Sequence, residues 1–137
     1  MATTKDKGKF SKFDIDLEFG QQWEQHLDDL FKGVKTCEVK TERDQWATTG
    51  NICIELESWN KPSGINSTEA DVWVQNLVKD GRLIASIMLP TDVLKELVEE
   101  LPNRTVMGGD NRASKLLLVN LEKLIKTIKD FANKGSE

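Results

Sequence analysis

The sequence predicts a single domain of the α/β or α+β class, with a mixed β-sheet flanked by helices. Three observations carry that expectation. Helical and strand periodicities follow one another in the order helix, strand, strand, helix, strand, helix, strand, helix. The 137 residues suffice for one domain with its own core. Hydrophobic residues make up 38% and charged residues 31%, as in ordinary globular chains.

Residues 1–15 form an expected flexible basic arm, with Lys5, Lys7, Lys9 and Lys12 crowded together. The arm lacks the apolar stretch of a signal peptide. Over residues 17–32, Leu17, Trp23, Leu27, Leu30 and Phe31 recur at helical spacing, and Gly33 follows as a stop signal. Residues 34–42 are expected as the first strand. Asp44, Thr48, Thr49 and Gly50 then suit a hairpin connection. In the second strand, 51–58, Ile52, Ile54 and Leu56 point one way and Cys53, Glu55 and Glu57 the other.

The loop 59–67 is rich in Pro, Gly, Asn and Ser. Ser67 or Thr68 is expected to cap a helix running through Leu77, with Ala70, Trp73, Val74 and Leu77 inward. Asp80-Gly81 marks a turn before a strand at 82–89. Thr91 is expected to cap a helix over 92–101, stopped before Pro102. Gly108-Gly109-Asp110-Asn111 marks a turn within 106–112. A strand at 116–120 precedes a last helix over 121–132, with Leu124, Ile125, Ile128 and Phe131 inward. The domain is expected to close at residue 133, leaving 134–137 as a tail.

The net charge of −4 argues against bulk binding to nucleic acid, which prefers a basic surface. A cluster of metal-binding carboxylates would itself contribute such acidity, and the basic arm can touch a phosphate backbone locally. No apolar run approaches the roughly 20 residues of a membrane span. Cys37 and Cys53 both fall in expected strands and read as small reduced core residues, which fits a cytoplasmic setting. They and the single His26 give no zinc spacing.

The chemistry centres on Glu38-Val39-Lys40 and Glu55-Leu56-Glu57. Alternation puts Glu38 and Lys40 on one face of their strand, and Glu55 and Glu57 on one face of theirs. If the strands pair as a hairpin turning near Trp46 and Ala47, Glu38 lies opposite Glu55, with Cβ atoms roughly 5 Å apart. Three carboxylates and an ammonium then share a patch. Hard oxygen ligands point to Mg²⁺ or Mn²⁺. Solvated charges on two surface strands give the same pattern. Glu24, between Trp23 and Leu27, either reaches the strand face or is a helix-edge charge.

Ser63-Gly64, ahead of the expected helix cap, can present N–H groups to a phosphate, although a turn plus a cap explains the same residues. Trp46 and Trp59 can stack on bases, but strand-end tryptophans more often cover a sheet edge, and that reading is favoured.

A helix bearing Glu, a strand with Glu-Val-Lys and a following strand carrying Glu resemble the PD-(D/E)XK nuclease superfamily. The strings EVKTERDQWATTGNICIELES and KPSGINSTEADVW are similar to small phage-encoded proteins of that superfamily. The resemblance runs from about Asp16 to Trp73 and weakly onward through Gly108-Gly109. It implies a restriction-endonuclease-like αβββαβ core and Mg²⁺- or Mn²⁺-dependent endonuclease activity on DNA in phage DNA metabolism. A nuclease this small needs a partner to grip a duplex, so a homodimer is expected, and a phage origin would place it in the host cytoplasm.

Matched residue by residue, Glu24 takes the place of the helix acid, Glu38 of the first metal-binding acid and Glu55 of the second. Lys40 takes the place of the catalytic lysine, moved to the neighbouring strand. The chain departs from the pattern in two ways. Too few residues separate the first helix from Glu38 for another hairpin. Glu57 occupies the usual lysine position, as Glu does in some restriction enzymes. Glu57 and Ser63 are therefore additional candidates. The alternative is a nuclease fold without catalysis, serving as a DNA- or protein-binding accessory factor. A third reading is an interaction domain with no metal.

Overall fold

In a computed structural model the backbone is described for residues 12–134, and side chains from residue 17 onward. The chain divides after Thr36 into two compact units. Most of the expected arm lies outside the described residues, as do residues 135–137 of the expected tail.

The first unit is the helix α1, Lys12–Phe31, which starts five residues before its expected beginning. It ends as its sequence dictates. Gly33 takes φ +78°, open to glycine without strain, and its N–H donates to the Leu30 carbonyl while Val34 donates to Asp29. Along the helix Phe19 meets Trp23 edge-on at 6.1 Å, and Trp23 meets His26 at 5.4 Å.

The second unit runs β1 (Cys37–Arg43), α2 (Gln45–Thr49), β2 (Asn51–Ser58), β3 (Lys61–Pro62) and a 3₁₀ turn at Gly64–Asn66. It continues with β4 (Val72–Lys79), β5 (Arg82–Pro90), α3 (Thr91–Glu100), β6 (Thr105–Gly108), β7 (Ser114–Asn120) and α4 (Leu121–Lys134). One sheet has the order β1-β4-β5, with β1 parallel to β4 and β5 antiparallel to it. The other has the order β3-β2-β7-β6 and is antiparallel throughout. The class is therefore α+β with a mixed sheet and flanking helices, as the periodicities indicated.

The helix expected over 68–77 is instead the central strand β4. Trp73, Gln75 and Leu77 alternate into the interior. Lys79 pairs with Arg82 across Asp80-Gly81, whose φ values are +51° and +76°. That is the two-residue hairpin turn for which Asp-Gly is favoured. The helical spacing of Ala70, Trp73, Val74 and Leu77 was fortuitous, and the hairpin signal was the stronger one.

The expected hairpin between β1 and β2 does not form. The connection folds into α2, which ends on Gly50 at φ +74°. It is tied to the β4–β5 turn. The Trp46 indole donates to the Val78 carbonyl at 2.8 Å, the Asp44 amide donates to the same carbonyl, and the Asp44 carboxylate accepts from the Asp80 amide. These bonds lay β1 beside β4 and send β2 into the other sheet.

Smaller expectations are corrected too. Cys37 is exposed rather than buried. Thr91 lies within α3 instead of capping it: its amide donates to the Asp71 carbonyl and its buried hydroxyl has no partner. Ile125 is exposed, not inward. Part of the expected turn at 106–112 is the strand β6. Asn120 caps α4 by accepting from the Glu122 and Lys123 amides.

Ile52, Ile54, Ile65, Trp73, Leu77, Leu94, Leu101, Leu117, Val119 and Leu124 form one core cluster, so both sheets, α3 and α4 share a single interior. A polar junction crosses it. One Glu42 oxygen accepts from the Cys53 amide at 2.7 Å and from the Gln75 side-chain amide at 2.9 Å. The Gln75 oxygen accepts from the Trp73 indole at 2.9 Å. Gln75 is only 2% exposed, so losing it strands the Trp73 indole N–H and removes one of the two donors to the Glu42 carboxylate. Gln75→Leu is expected to destabilise the fold by about 1–3 kcal/mol, measured by urea unfolding, whereas an exposed control such as Lys129→Ala is expected to change stability by less than about 0.5 kcal/mol.

Candidate functional site

Glu38, Lys40 and Glu42 occupy alternate positions of β1 and are less exposed than Cys37, Val39, Thr41 and Arg43 between them. They therefore share the shielded face, as alternation required. Lys40 Nζ lies 3.3 Å from Glu38 Oε2 and 5.7 Å from the centre of the Trp73 ring. The ring face attracts the ammonium and helps to fix its direction.

Glu55 stands on β2. Its Oε2 accepts from the Ser63 hydroxyl at 2.8 Å. Glu38 Oε1 accepts from the Thr68 hydroxyl at 3.2 Å. The two acids are thus held by the two ends of one loop. Inside it, the Gly64 carbonyl accepts from the Ser67 and Thr68 amides at 3.2 and 3.0 Å. Ile65 anchors the loop with 0% exposure. Ser63 donates through its amide, and Asn66 through its side chain, to the Leu56 carbonyl. Lys95 reaches the Thr68 carbonyl at 3.3 Å.

Gly64 is indispensable to this arrangement. A Cβ there would lie 2.7 Å from Glu55 Cβ and closer still to the Glu55 carbonyl oxygen. Its φ of +53° is also one that side chains rarely adopt.

The geometry revises several expectations. Glu38 does not oppose Glu55: Glu38 lies beside Trp73 in one sheet and Glu55 beside Leu116 in the other. A β-bulge falls between Glu55 and Glu57, where two steps along β2 match one along β7. Bulges re-aim side chains, often near functional sites. Glu57 is engaged instead by Lys115, with Nζ 3.5 Å from Oε2. Glu24 lies on α1, where with Gln21, Gln25 and Asp28 it lines a hollow along the helix. The patch of three converging carboxylates is not formed: among the described residues no three acid, cysteine or histidine side chains group to hold a metal ion.

With the expected helix gone, Ser63-Gly64 opens only the three-residue 3₁₀ turn Gly64–Asn66. Ser63 serves as the partner of Glu55. Thr68 carries no site role in the sequence reading, and Gly64 enters it only as a phosphate-binding N–H rather than as the residue seated against Glu55. Thr68 was read as a helix cap, although a hydroxyl that caps a helix can equally hold a carboxylate. Trp46 packs against the core cluster, whereas Trp59 is 63% exposed. Burial, and then the charge of Glu42, push the Cys53 thiol above its usual range.

No protein-family model, curated protein or solved structure matches the chain. Among the described residues no helix is long and apolar enough to cross a membrane.

Gly64→Ala is expected to destabilise the protein by more than about 1 kcal/mol and to lower its affinity for any ligand of Glu55, checked by thermal melting and calorimetry. Cys37 is expected to react with iodoacetamide before Cys53 at pH 8, because Cys37 is exposed, the thiolate is the nucleophile, and burial pushes the Cys53 thiol up. Mass spectrometry of the alkylated peptides reports the order.

Proposed function

We propose that the chain is a divalent-metal-dependent endonuclease that hydrolyses DNA phosphodiester bonds through Glu38, Glu55 and Lys40. One observation carries the reading. A single six-residue loop, Ser63 to Thr68, aims a hydroxyl at each of two carboxylates on different sheets. A solvated surface charge requires no such holder.

The donor set fits Mg²⁺ or Mn²⁺. Mg²⁺ is commonly held by one or two carboxylates, with water and substrate phosphate oxygens completing its shell. Glu38 and Glu55 would be those two ligands. Both are hard oxygen donors. When bound, such an ion polarises a phosphoryl oxygen and lowers the pKa of a bound water.

The chain's own groups do the rest. Ser63 and Thr68 each occupy one carboxylate oxygen and so orient the other. Lys40, held between Glu38 and the Trp73 ring, offers its ammonium to charge developing on the phosphate. The reading takes DNA as the substrate, a second copy of the chain as partner in gripping a duplex, and the cytoplasm of a phage host as the setting.

An accessory factor without catalysis is the second reading. The net charge of −4 and the missing third carboxylate favour it.

Metal titration followed by thermal melting separates them. A ligand that binds only the folded state raises Tm. At tenfold over its dissociation constant, Mn²⁺ is expected to raise Tm by about 3–8 °C. Glu38→Ala and Glu55→Ala are each expected to remain folded, to lose most of that shift and to lose cleavage of branched, single-stranded and duplex DNA. A Tm shift without cleavage by the wild type selects the accessory reading. No shift at millimolar metal removes the metal site altogether.

A further inference from the structure

The joint between β2 and β3 carries an unexplained strain. Ser58 pairs with Lys61, so only Trp59 and Asn60 connect the two strands. Their φ values are +53° and +63°. A two-residue turn of this kind needs positive φ at both positions, and Asn, Asp or Gly normally supply it. Asn60 conforms. Trp59 does not: a bulky residue at positive φ is an outlier. Its indole is also 63% exposed, so no interior packing compensates the strain. Strained residues of this sort concentrate where function over-determines them.

The surroundings say what the indole meets. The Trp59 amide donates to the Ala113 carbonyl at 3.0 Å, which lays the 109–113 loop against the turn. That loop carries two more non-glycine residues at positive φ, Asn111 and Arg112. Arg112 and Lys61 are both exposed. Asp110 is the loop's one acid, and Glu57, at the end of β2, is already neutralised by Lys115. Lys61 lies two positions beyond the indole, and Arg112 directly precedes the Ala113 carbonyl that holds the Trp59 amide. An exposed aromatic with two cationic residues on the adjoining backbone suits a flat ring on an anionic backbone. Trp59 stands in the turn just beyond β2, four positions from Glu55, so at most about 13 Å separates them along the chain at about 3.3 Å per residue. That is a span of only a few nucleotides at about 3.4 Å per step.

We propose that Trp59 is a stacking platform for an unpaired nucleobase of DNA, with Lys61 and Arg112 on the adjoining phosphates. The inference rests on the reading of the chain as a DNA-binding protein and narrows its ligand. DNA with bases free of the helical stack, single-stranded or at a branch, is bound in preference to uninterrupted duplex. A duplex hides its base faces from the indole; a single strand does not.

The test is made in EDTA, where binding is read without cleavage. The anisotropy of a labelled short oligothymidylate, and of the same strand paired with its complement, is followed against wild type, Trp59→Asn and Trp59→Phe. Trp59→Asn is expected to weaken single-strand binding by about tenfold or more, with little effect on the duplex. It is expected to leave Tm unchanged or raise it, because Asn tolerates the left-handed conformation. Trp59→Phe is expected to retain most of the affinity. Equal single-strand affinity of Trp59→Asn and wild type overturns the proposal. So does a fall in Tm for Trp59→Asn, which marks Trp59 as a packing residue. A change in sedimentation alone also overturns it, because it assigns the indole to contact with a second copy. A wild type that binds the single strand through Trp59 yet cleaves nothing with Mn²⁺ removes the endonuclease reading and leaves this one standing.

Discussion

Glu42 accepts the Cys53 amide and the Gln75 side chain on the same oxygen, and the placement of both candidate acids depends on that junction. β7 covers one edge of β2 over residues 51–55, while β3 touches the other edge only at its far end. The Cys53 amide would otherwise point into a region with no strand to receive it. A carboxylate from β1 and an amide from β4 take the place of a partner strand. β1 also carries Glu38 and Lys40, and β2 also carries Glu55. The bonds that satisfy the edge therefore set the lateral relation of the acid-bearing strands. Buried polar groups of this kind are costly when half-satisfied and specific when complete. Here the described members are complete, down to the Trp73 indole on the Gln75 oxygen.

The loop from Ser63 to Thr68 works on the same principle from the other side. Ile65 sinks its side chain into the shared core, and Gly64 seats its backbone against Glu55 where no side chain fits. The hydroxyls at its two ends are then located by packing rather than by the loop's own stiffness. Rigid scaffolds that position loop residues are the usual way proteins place chemistry. Sheet, loop and core act as one support for Glu38 and Glu55.

What the sequence made legible were properties with a local cause. Alternation placed Glu38 with Lys40, and the apolar runs of β2, β5, α3 and α4 were visible as periodicities. The failures share a cause as well. The parallel pairing of β1 with β4 is written in no single segment, and the Trp46 bond that diverts the chain from a hairpin spans 32 residues. Thr68 reaches Glu38 across 30 residues, which no local pattern announces. The region 68–77 misled for another reason. Four apolar residues satisfied a helical template, while Asp80-Gly81 just beyond them carried the decisive turn chemistry. The bulge that separates Glu55 from Glu57 left no mark, since it is a property of pairing with β7.

The strand order also bears on how the protein comes to be folded. β4 and β5 are joined by a two-residue turn and can meet early, because closing so short a loop is fast. The pairing of β2 with β7 must wait for contacts between residues such as Asn51 and Asn120, 69 positions apart. Long-range pairings of this kind slow folding and come late along it. Glu38 on β1 meets Thr68 across 30 positions, and Glu55, though close in sequence to Ser63, stands on β2, whose pairing with β7 is long-range. A nascent or partly unfolded chain thus holds its helices and its hairpin before it holds both acids in place. The grouping of Ser63 and Thr68 with the two acids is therefore complete only when the last strands have closed.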